Sequence, residues 1–151
     1  MTTTTHCGPA GASTPDALEP AFRAAVAAGD LEAVVGLYAA DAVVSLPRGR
    51  EAAGSAAIRA AFAAALAAGV LQDWASVAGS GAGEGDEVAP TVRAVVSGDL
   101  AMTTASGVDG RVCTQVARRS AEGRWLWVRD GSRLRDVEAC LPTTSHHLVV
   151  A

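Results

Sequence analysis

The spacing of the apolar residues changes near Val70, and this change limits what the chain can fold into. Two segments before it carry apolar residues at every fourth position: Leu18, Phe22 and Val26, then Ile58, Phe62 and Leu66. This is the spacing of a buried helix face. From Val70 onward, apolar and polar residues alternate, as they do in strands with one buried side. Helices followed by strands predict an α+β protein.

Residues that cap or break helices give the predicted helix boundaries in the first half of the chain. Asp30 is suited to cap a helix, and glycines stand where two of the helices should end. The predicted elements are helices from Thr14 to Gly29 and from Asp30 to Tyr38, a strand at Ala42–Leu46, and a third helix from Ser55 to Gly69.

Glycine and aspartate turns separate the strands of the second half, which predicts an antiparallel meander. The predicted strands are Val70–Val77, Thr91–Ser97, Leu100–Ser106, Arg111–Arg119 and Arg124–Asp130. Turns are predicted at Gly98-Asp99, Val108-Asp109-Gly110 and Ala121-Glu122-Gly123. The glycine-rich segment Gly79–Glu87 is predicted to be a mobile loop.

The length of 151 residues fits one domain. We predict a disordered N-terminal tail over residues 1–13, a folded domain over 14–133 and a C-terminal tail over 134–151. The N-terminal segment lacks the charged and apolar parts of a secretory signal, and no apolar stretch reaches about 18 residues. The sequence therefore predicts a cytoplasmic protein.

Charge and cysteine content exclude several functions. The net charge is −4, without a basic cluster, so neither nucleic acid nor an anionic membrane surface is an expected partner. The chain has no lysine, which excludes lysine Schiff-base chemistry. Three cysteines at unrelated spacings argue against a disulfide framework and a thiolate metal site. We expect neither a metal nor an organic cofactor.

Several short motifs resemble a known superfamily. The first group is Ala28–Glu32, Leu37–Val44 and Gly54–Arg59, and the second is Gly98–Ala101, Thr114–Arg119 and Gly123–Asp130. The first group resembles the ketosteroid isomerase and polyketide cyclase (SnoaL-like) branch of the nuclear transport factor 2-like superfamily. The other group is similar to actinobacterial members without an assigned activity. The resemblance implies a cone-shaped fold, in which three N-terminal helices pack on a curved antiparallel sheet around a pocket.

The catalytic positions of the isomerases are not kept. The resemblance places Phe22 where that family has a catalytic tyrosine, Leu46 at its general-base aspartate, Phe62 at a supporting tyrosine, and Gln115 at its oxyanion-hole aspartate. Phenylalanine and leucine do not transfer protons. The chain is therefore not expected to be a ketosteroid isomerase, although the replacements still suit an apolar pocket.

Alternation along the strands predicts which residues line that pocket. With Gln115 facing inward, Cys113 and Ala117 share its side, and the resemblance adds Leu126, Val128 and Asp130 on the neighbouring strand. Trp74 is a further candidate wall residue, alongside Phe22, Leu46 and Phe62. Trp125 and Trp127 are then predicted on the outer sheet face, where exposed tryptophans would favour a homodimer.

Each candidate has a functional and a structural interpretation. Asp130 could act as a general base in a pocket that raises its pKa, or pair with an arginine or cap the strand end. Tyr38 and Gln115 could donate hydrogen bonds to a ligand, or be satisfied within the core. Trp74 could be pocket wall or core. Cys113 could be a nucleophile or an inert buried thiol.

Two functions remain open from the sequence, with a third behind them. The first is a cofactor-independent isomerase, cyclase or dehydratase, acting on a hydrophobic, oxygenated, polyketide-like metabolite, with Asp130, Tyr38 and Gln115 in catalysis. The second is a metabolite-binding or carrier protein without catalysis. The third is a structural or regulatory dimer with a collapsed pocket.

Overall fold

The protein is described by a computed structural model that covers residues 9–72, 91–106 and 111–141. Its longer elements are α1 (Leu18–Ala28), α2 (Leu31–Val35), β1 (Tyr38–Ser45), β2 (Glu51–Ala53), α3 (Ser55–Ala67), β3 (Val92–Ser97), β4 (Leu100–Ser106), β5 (Val112–Arg119) and β6 (Trp125–Asp130). Short 3-10 turns lie at Pro15–Ala17, Pro47–Gly49 and Glu138–Cys140. The α+β prediction is confirmed.

The described strands form one sheet in the order β2-β1-β6-β5-β4-β3. Neighbours from β3 to β6 are antiparallel, as the turns predict, but β1 lies parallel to β6. The predicted all-antiparallel sheet is therefore wrong at one pair. No hairpin links β1 to β6, because the rest of the chain runs between them, and a long connection permits parallel neighbours.

The helices cover one face of this sheet and share one core with it. The buried apolar faces of α1 and α3 join small residues of β4 and β5. The left-handed conformation of Gly29, with φ of 64°, ends α1, and the side chain of Asp30 accepts a hydrogen bond from the Ala33 amide at the start of α2. Both boundary predictions are confirmed.

The second helix is shorter than predicted, and this moves Tyr38. Helix α2 ends at Val35, and the Leu37 carbonyl accepts the Trp127 amide of β6, so the chain is already extended there. Tyr38 is the first residue of β1, where the sequence predicts a helical position. The predicted strand at Ala42–Leu46 overlaps the second half of β1, and β2 lies between it and α3, where no element is predicted.

The tails predicted at both ends are partly folded. Ala12 forms a β-bridge with Trp125, and Arg124 donates to the carbonyls of Ala10 and Gly11. At the other end, Leu134 is fully buried and the turn at Glu138–Cys140 packs on α3. Residues 9–13 and 134–141 therefore belong to the fold rather than to free tails.

Some predictions fall outside the described residues. These are the loop at Gly79–Glu87, the turn at Val108-Asp109-Gly110 and most of the strand at Val70–Val77. Val70 and Leu71 lie in a turn after α3, so the predicted strand does not begin there.

Candidate functional site

A β-bulge in β6 decides which side chains of that strand face the helices. Val116 pairs with Arg129 and Ala117 pairs with Trp127, so Val128 has no partner on β5. An extra residue reverses the alternation beyond it. Both Trp127 and Asp130 are fully buried as a result.

The predicted faces of β6 are therefore wrong on the N-terminal side of the bulge. Trp125 and Trp127 are predicted on the outer face, yet both are buried, and Trp127 contacts Phe22 and Tyr38. Leu126 is predicted in the pocket but points to the opposite side, towards Gly11. Val128 is the bulge residue and is half-buried. The Leu126 and Val128 side chains are both partly buried and pack against the apolar core.

The alternation predicted for β5 is confirmed, whereas a pocket lined by these residues stays a prediction. Cys113, Gln115 and Ala117 are all buried on the helix-facing side. Ala117 pairs with Trp127 across the strands, and its small side chain leaves room for the indole. Burial raises the pKa of the Cys113 thiol, which favours the inert interpretation because the thiolate is the nucleophile.

Four aromatic rings fill much of the space between the helices and the sheet. Phe22 lies 5.9 Å from Phe62 and 6.1 Å from Trp127, and Tyr38 lies 5.4 Å from Phe62 and 5.3 Å from Trp127, between ring centroids. These are ordinary packing distances for aromatic pairs. The walls predicted at Phe22 and Phe62 are thus in contact with each other.

Tyr38 and Asp130 form a buried hydrogen-bonded pair. We call this pair, together with the backbone N–H groups of Ser132 and Arg133, the Asp130 cluster. The Tyr38 hydroxyl donates to Oδ2 of Asp130 over 2.7 Å. Oδ1 of Asp130 accepts the backbone N–H groups of Ser132 at 3.2 Å and Arg133 at 3.1 Å. Burial, and next the Asp130 carboxylate, raises the pKa of Tyr38 well above 10.0, so the hydroxyl keeps its proton.

A second buried group of charges, the Glu19 cluster, comprises Glu19, Arg23 and Arg133. Glu19 accepts from Nε of Arg23 over 3.2 Å and from Nη2 of Arg133. The Arg133 guanidinium also lies 3.7 Å above the Phe22 ring centroid. Burial opposes the charge of Arg133, but Glu19 first, and then Tyr38, Asp130 and Cys113, together outweigh burial and raise the pKa of Arg133.

The Glu19 cluster is not predicted from the sequence, although one signal is present. Glu19 and Arg23 stand four residues apart on α1, directly beside the apolar stripe of Leu18 and Phe22. Such a spacing usually marks an exposed ion pair. Only the contact with Arg133, which is distant in sequence, shows that this pair is buried.

Gln115 takes part in a third buried group, the Gln115 relay, with Thr103 and Trp127. The indole Nε1 of Trp127 donates to Oγ1 of Thr103 over 2.9 Å, and Thr103 donates to Oε1 of Gln115 over 3.1 Å. Among the described residues, the buried Gln115 amide nitrogen has no hydrogen-bond partner. A buried donor without an acceptor is uncommon, so it marks a place where a ligand oxygen would be favoured.

Leu46 and Trp74 are the remaining predicted lining residues, and Leu46 is buried in the same apolar core as the aromatic rings. Leu46 borders a surface depression of about 380 Å³ whose walls are mainly charged; they are Ser45, Leu46, Arg48, Gly49, Arg50, Glu51, Arg135 and Asp136. Trp74 lies outside the described residues. Within the described ranges no three side chains are grouped as metal ligands, and no helix is long and apolar enough to cross a membrane.

Solved structures from several bacteria are similar to this chain. The chain resembles a nuclear transport factor 2-like protein with a cystatin-like fold from Novosphingobium aromaticivorans, at 19% identity and a TM-score of 0.53, covering 77% of this chain and 76% of that one. A Nostoc punctiforme protein of unknown function with a cystatin-like fold is 17% identical, with a TM-score of 0.47, over 76% of this chain and 84% of that one. A ketosteroid isomerase-like protein from Erwinia carotovora is 21% identical, with a TM-score of 0.44, over 77% of this chain and 89% of that one.

The first of these structures matches in fold alone, since its identity to this chain is low. No curated protein matches the sequence. The model of the SnoaL-like domain matches residues 20–131, which include most of α1, all six described strands and every residue of the Asp130 cluster except the turn after β6. The chain belongs to the SnoaL-like domain family.

Proposed function

We propose that this protein binds a hydrophobic, oxygenated small molecule beside Tyr38, Asp130 and Gln115, and isomerises, cyclises or dehydrates it without a metal or organic cofactor. The observation that supports this most is the buried Tyr38–Asp130 hydrogen bond of 2.7 Å. Asp130 lies directly opposite Gln115 on the neighbouring strand, and among the described residues the Gln115 amide nitrogen has no hydrogen-bond partner. Membership of the SnoaL-like family agrees with a protein of this class.

The geometry suggests a role for each residue. Oδ2 of Asp130 accepts a hydrogen bond from Tyr38, and a carboxylate oxygen has two lone pairs. Oδ2 would take a proton from the carbon beside a substrate carbonyl, and the C–H electron pair would move into an enolate. Nε2 of Gln115 would donate to the enolate oxygen. In a substrate with a double bond conjugated to this enolate, return of the proton to the far carbon of that double bond completes an isomerisation and restores the carboxylate.

One observation favours the alternative, a binding or carrier protein. Oδ1 of Asp130 holds the backbone amides of Ser132 and Arg133. This is the usual structural role of an aspartate that closes a turn after a strand. An Asp130 used only in this way would leave ligand binding intact without any proton transfer.

Deuterium exchange into a model ketone separates the two functions. 2-Tetralone is a hydrophobic ketone with acidic hydrogens beside its carbonyl, and in D₂O a positioned base replaces them with deuterium. We expect the protein to accelerate this exchange and Asp130→Asn to lose about 10²-fold or more of the acceleration. The control is Asp41→Asn, an exposed aspartate of β1 paired with Arg118.

Each outcome of this experiment supports or contradicts one of the proposed functions. Binding of 2-tetralone without accelerated exchange supports a carrier, whereas equal acceleration by Asp130→Asn and the unchanged protein contradicts the catalytic role of Asp130. Absence of binding by any ketone or alcohol of this size contradicts the small-molecule function itself.

We also propose a homodimer through the outer face of β3, β4 and β5. The tryptophans give no support for it, since both indoles are buried, but Val95, Met102 and Val112 are 71%, 52% and 57% exposed on that face. Met102 pairs directly with Val95. Sedimentation of the wild-type protein should show a dimer, and Met102→Glu should dissociate it. Ala27→Glu, on the exposed side of α1, is the control and should leave the dimer intact. A monomeric wild-type protein would contradict this proposal.

A further inference from the structure

The direction of the Gln115 relay fixes which end of the Gln115 amide is available to a ligand. All three members are almost fully buried: Thr103 and Gln115 are 2% exposed and Trp127 is 0% exposed. They lie on three adjacent strands, β4, β5 and β6, with Thr103 directly opposite Gln115. The relay is thus enclosed by the sheet and the core.

The chemistry of Trp127 sets that direction. An indole N–H only donates, so Thr103 must accept from Trp127. The Thr103 hydroxyl hydrogen is then left for another acceptor, and the oxygen within reach is Oε1 of Gln115 at 3.1 Å. The Gln115 amide is therefore held with its oxygen towards Thr103 and its NH₂ group directed away from it.

We propose that Thr103 is a positioning residue that makes Gln115 a donor to the ligand, so that the site selects molecules carrying an acceptor oxygen such as a carbonyl. This inference rests on the proposed small-molecule function. Without the Thr103 hydroxyl, nothing in the relay distinguishes the two ends of the amide. The amide could then turn and present its oxygen, which would repel a carbonyl and accept from a hydroxyl.

The sequence allows a simple spectroscopic test. The chain contains two glutamines, Gln72 and Gln115, and no asparagine, so an ¹⁵N spectrum shows two side-chain NH₂ pairs. Thr103→Val removes the hydroxyl with little change in shape. We expect it to shift the Gln115 pair and the Trp127 indole signal and to speed exchange of the indole hydrogen, while the Gln72 pair stays in place.

Two further variants separate positioning from general damage. Thr103→Ser keeps a hydroxyl and should restore both signals. Thr104→Val makes the same replacement one residue along β4, on the outer face, and should leave both signals unchanged. Unchanged Gln115 signals in Thr103→Val, or equal shifts in Thr104→Val, would overturn the proposal.

Ligand preference gives the functional readout. 2-Tetralone and tetralin have the same ring skeleton, and only the former has a carbonyl oxygen. We expect the wild-type protein to bind 2-tetralone roughly three- to tenfold more tightly than tetralin, which corresponds to one hydrogen bond. Thr103→Val should lose that preference. A preference retained in Thr103→Val would overturn the proposal. If neither compound binds the unchanged protein, the proposed function fails, and the amide signals still decide the positioning role.

Discussion

The Asp130 cluster and the Glu19 cluster meet at the end of β6, and they satisfy their charges in different ways. Glu19 is surrounded by two arginines, so charge is paired with charge. The hydrogen bonds to Asp130 come from a neutral hydroxyl and two backbone amides, although the charge of Arg133 also acts on it. A buried ion pair fails badly when one partner is lost, whereas a carboxylate held by neutral donors keeps a lone pair for another proton. The difference points to a structural role for Glu19 and a chemical one for Asp130.

The largest stability change is expected at Glu19. Glu19→Gln keeps the shape but leaves Arg133 and Arg23 without their shared carboxylate. We expect a loss of about 3–5 kcal/mol in the free energy of unfolding, measured in urea. Glu138→Gln, which breaks an exposed pair with Arg48, is the control and should be close to the unchanged protein. A loss below about 1 kcal/mol at Glu19 would remove the contrast between the clusters.

Tyr38→Phe should have an intermediate effect. It removes the donor to Oδ2 of Asp130 and leaves a buried charged oxygen with one fewer partner. We expect about 1.5–3 kcal/mol of destabilisation, the range for hydrogen bonds to charged groups, from the same urea experiment. A neutral result would mean that Tyr38 does not hold Asp130 in solution.

Asp130→Asn should be the mildest of the three in stability and the most damaging to chemistry. The asparagine oxygen can still accept the two backbone amides, and its NH₂ group can donate to the Tyr38 oxygen. We expect a loss of about 1 kcal/mol, with proton exchange in 2-tetralone abolished. A stability loss as large as that of Glu19→Gln would instead assign Asp130 to the structural cluster.

The fold and the inner face of β5 could be predicted because they depend on local periodicity. The bulge at Val128 could not, since nothing in Trp125–Asp130 itself marks an unpaired residue, and one extra residue exchanges the two faces. The prediction of Tyr38 in a helix fails for a similar reason. The partner that extends the chain at Leu37 is β6, about 90 residues later.

The Glu19 cluster was also beyond local sequence rules. Burial of an ion pair depends on what covers it, and here the cover includes Arg133 above the Phe22 ring. Asp130 accepts from Tyr38 and from the backbone amides after β6, and the charge of Arg133 also acts on it, so the predicted strand-end cap and the charge of an arginine occur together. The sequence therefore gives candidate residues, but their partners depend on the tertiary structure.

The ionisation of Tyr38 gives the smallest expected signal. Tyr38 is the chain's one tyrosine, so absorbance at about 295 nm reports its ionisation. Burial and Asp130 raise its pKa in the folded protein. Above about pH 10 the unfolded chain therefore loses this proton first, and stability should fall as pH rises from the unfolded to the folded pKa. Tyr38→Phe should weaken that fall; an ordinary tyrosine titration before unfolding would contradict the buried pair.

The proposed chemical role of the Asp130 cluster is best tested by a crystal structure of the protein, purified without removal of bound molecules. We predict a ligand whose oxygen lies within hydrogen-bond distance of Nε2 of Gln115, with a carbon atom close to Oδ2 of Asp130. A protein group bonded to Nε2 of Gln115, with Oδ2 of Asp130 closed off by side chains, would contradict this prediction and assign both clusters to structure alone.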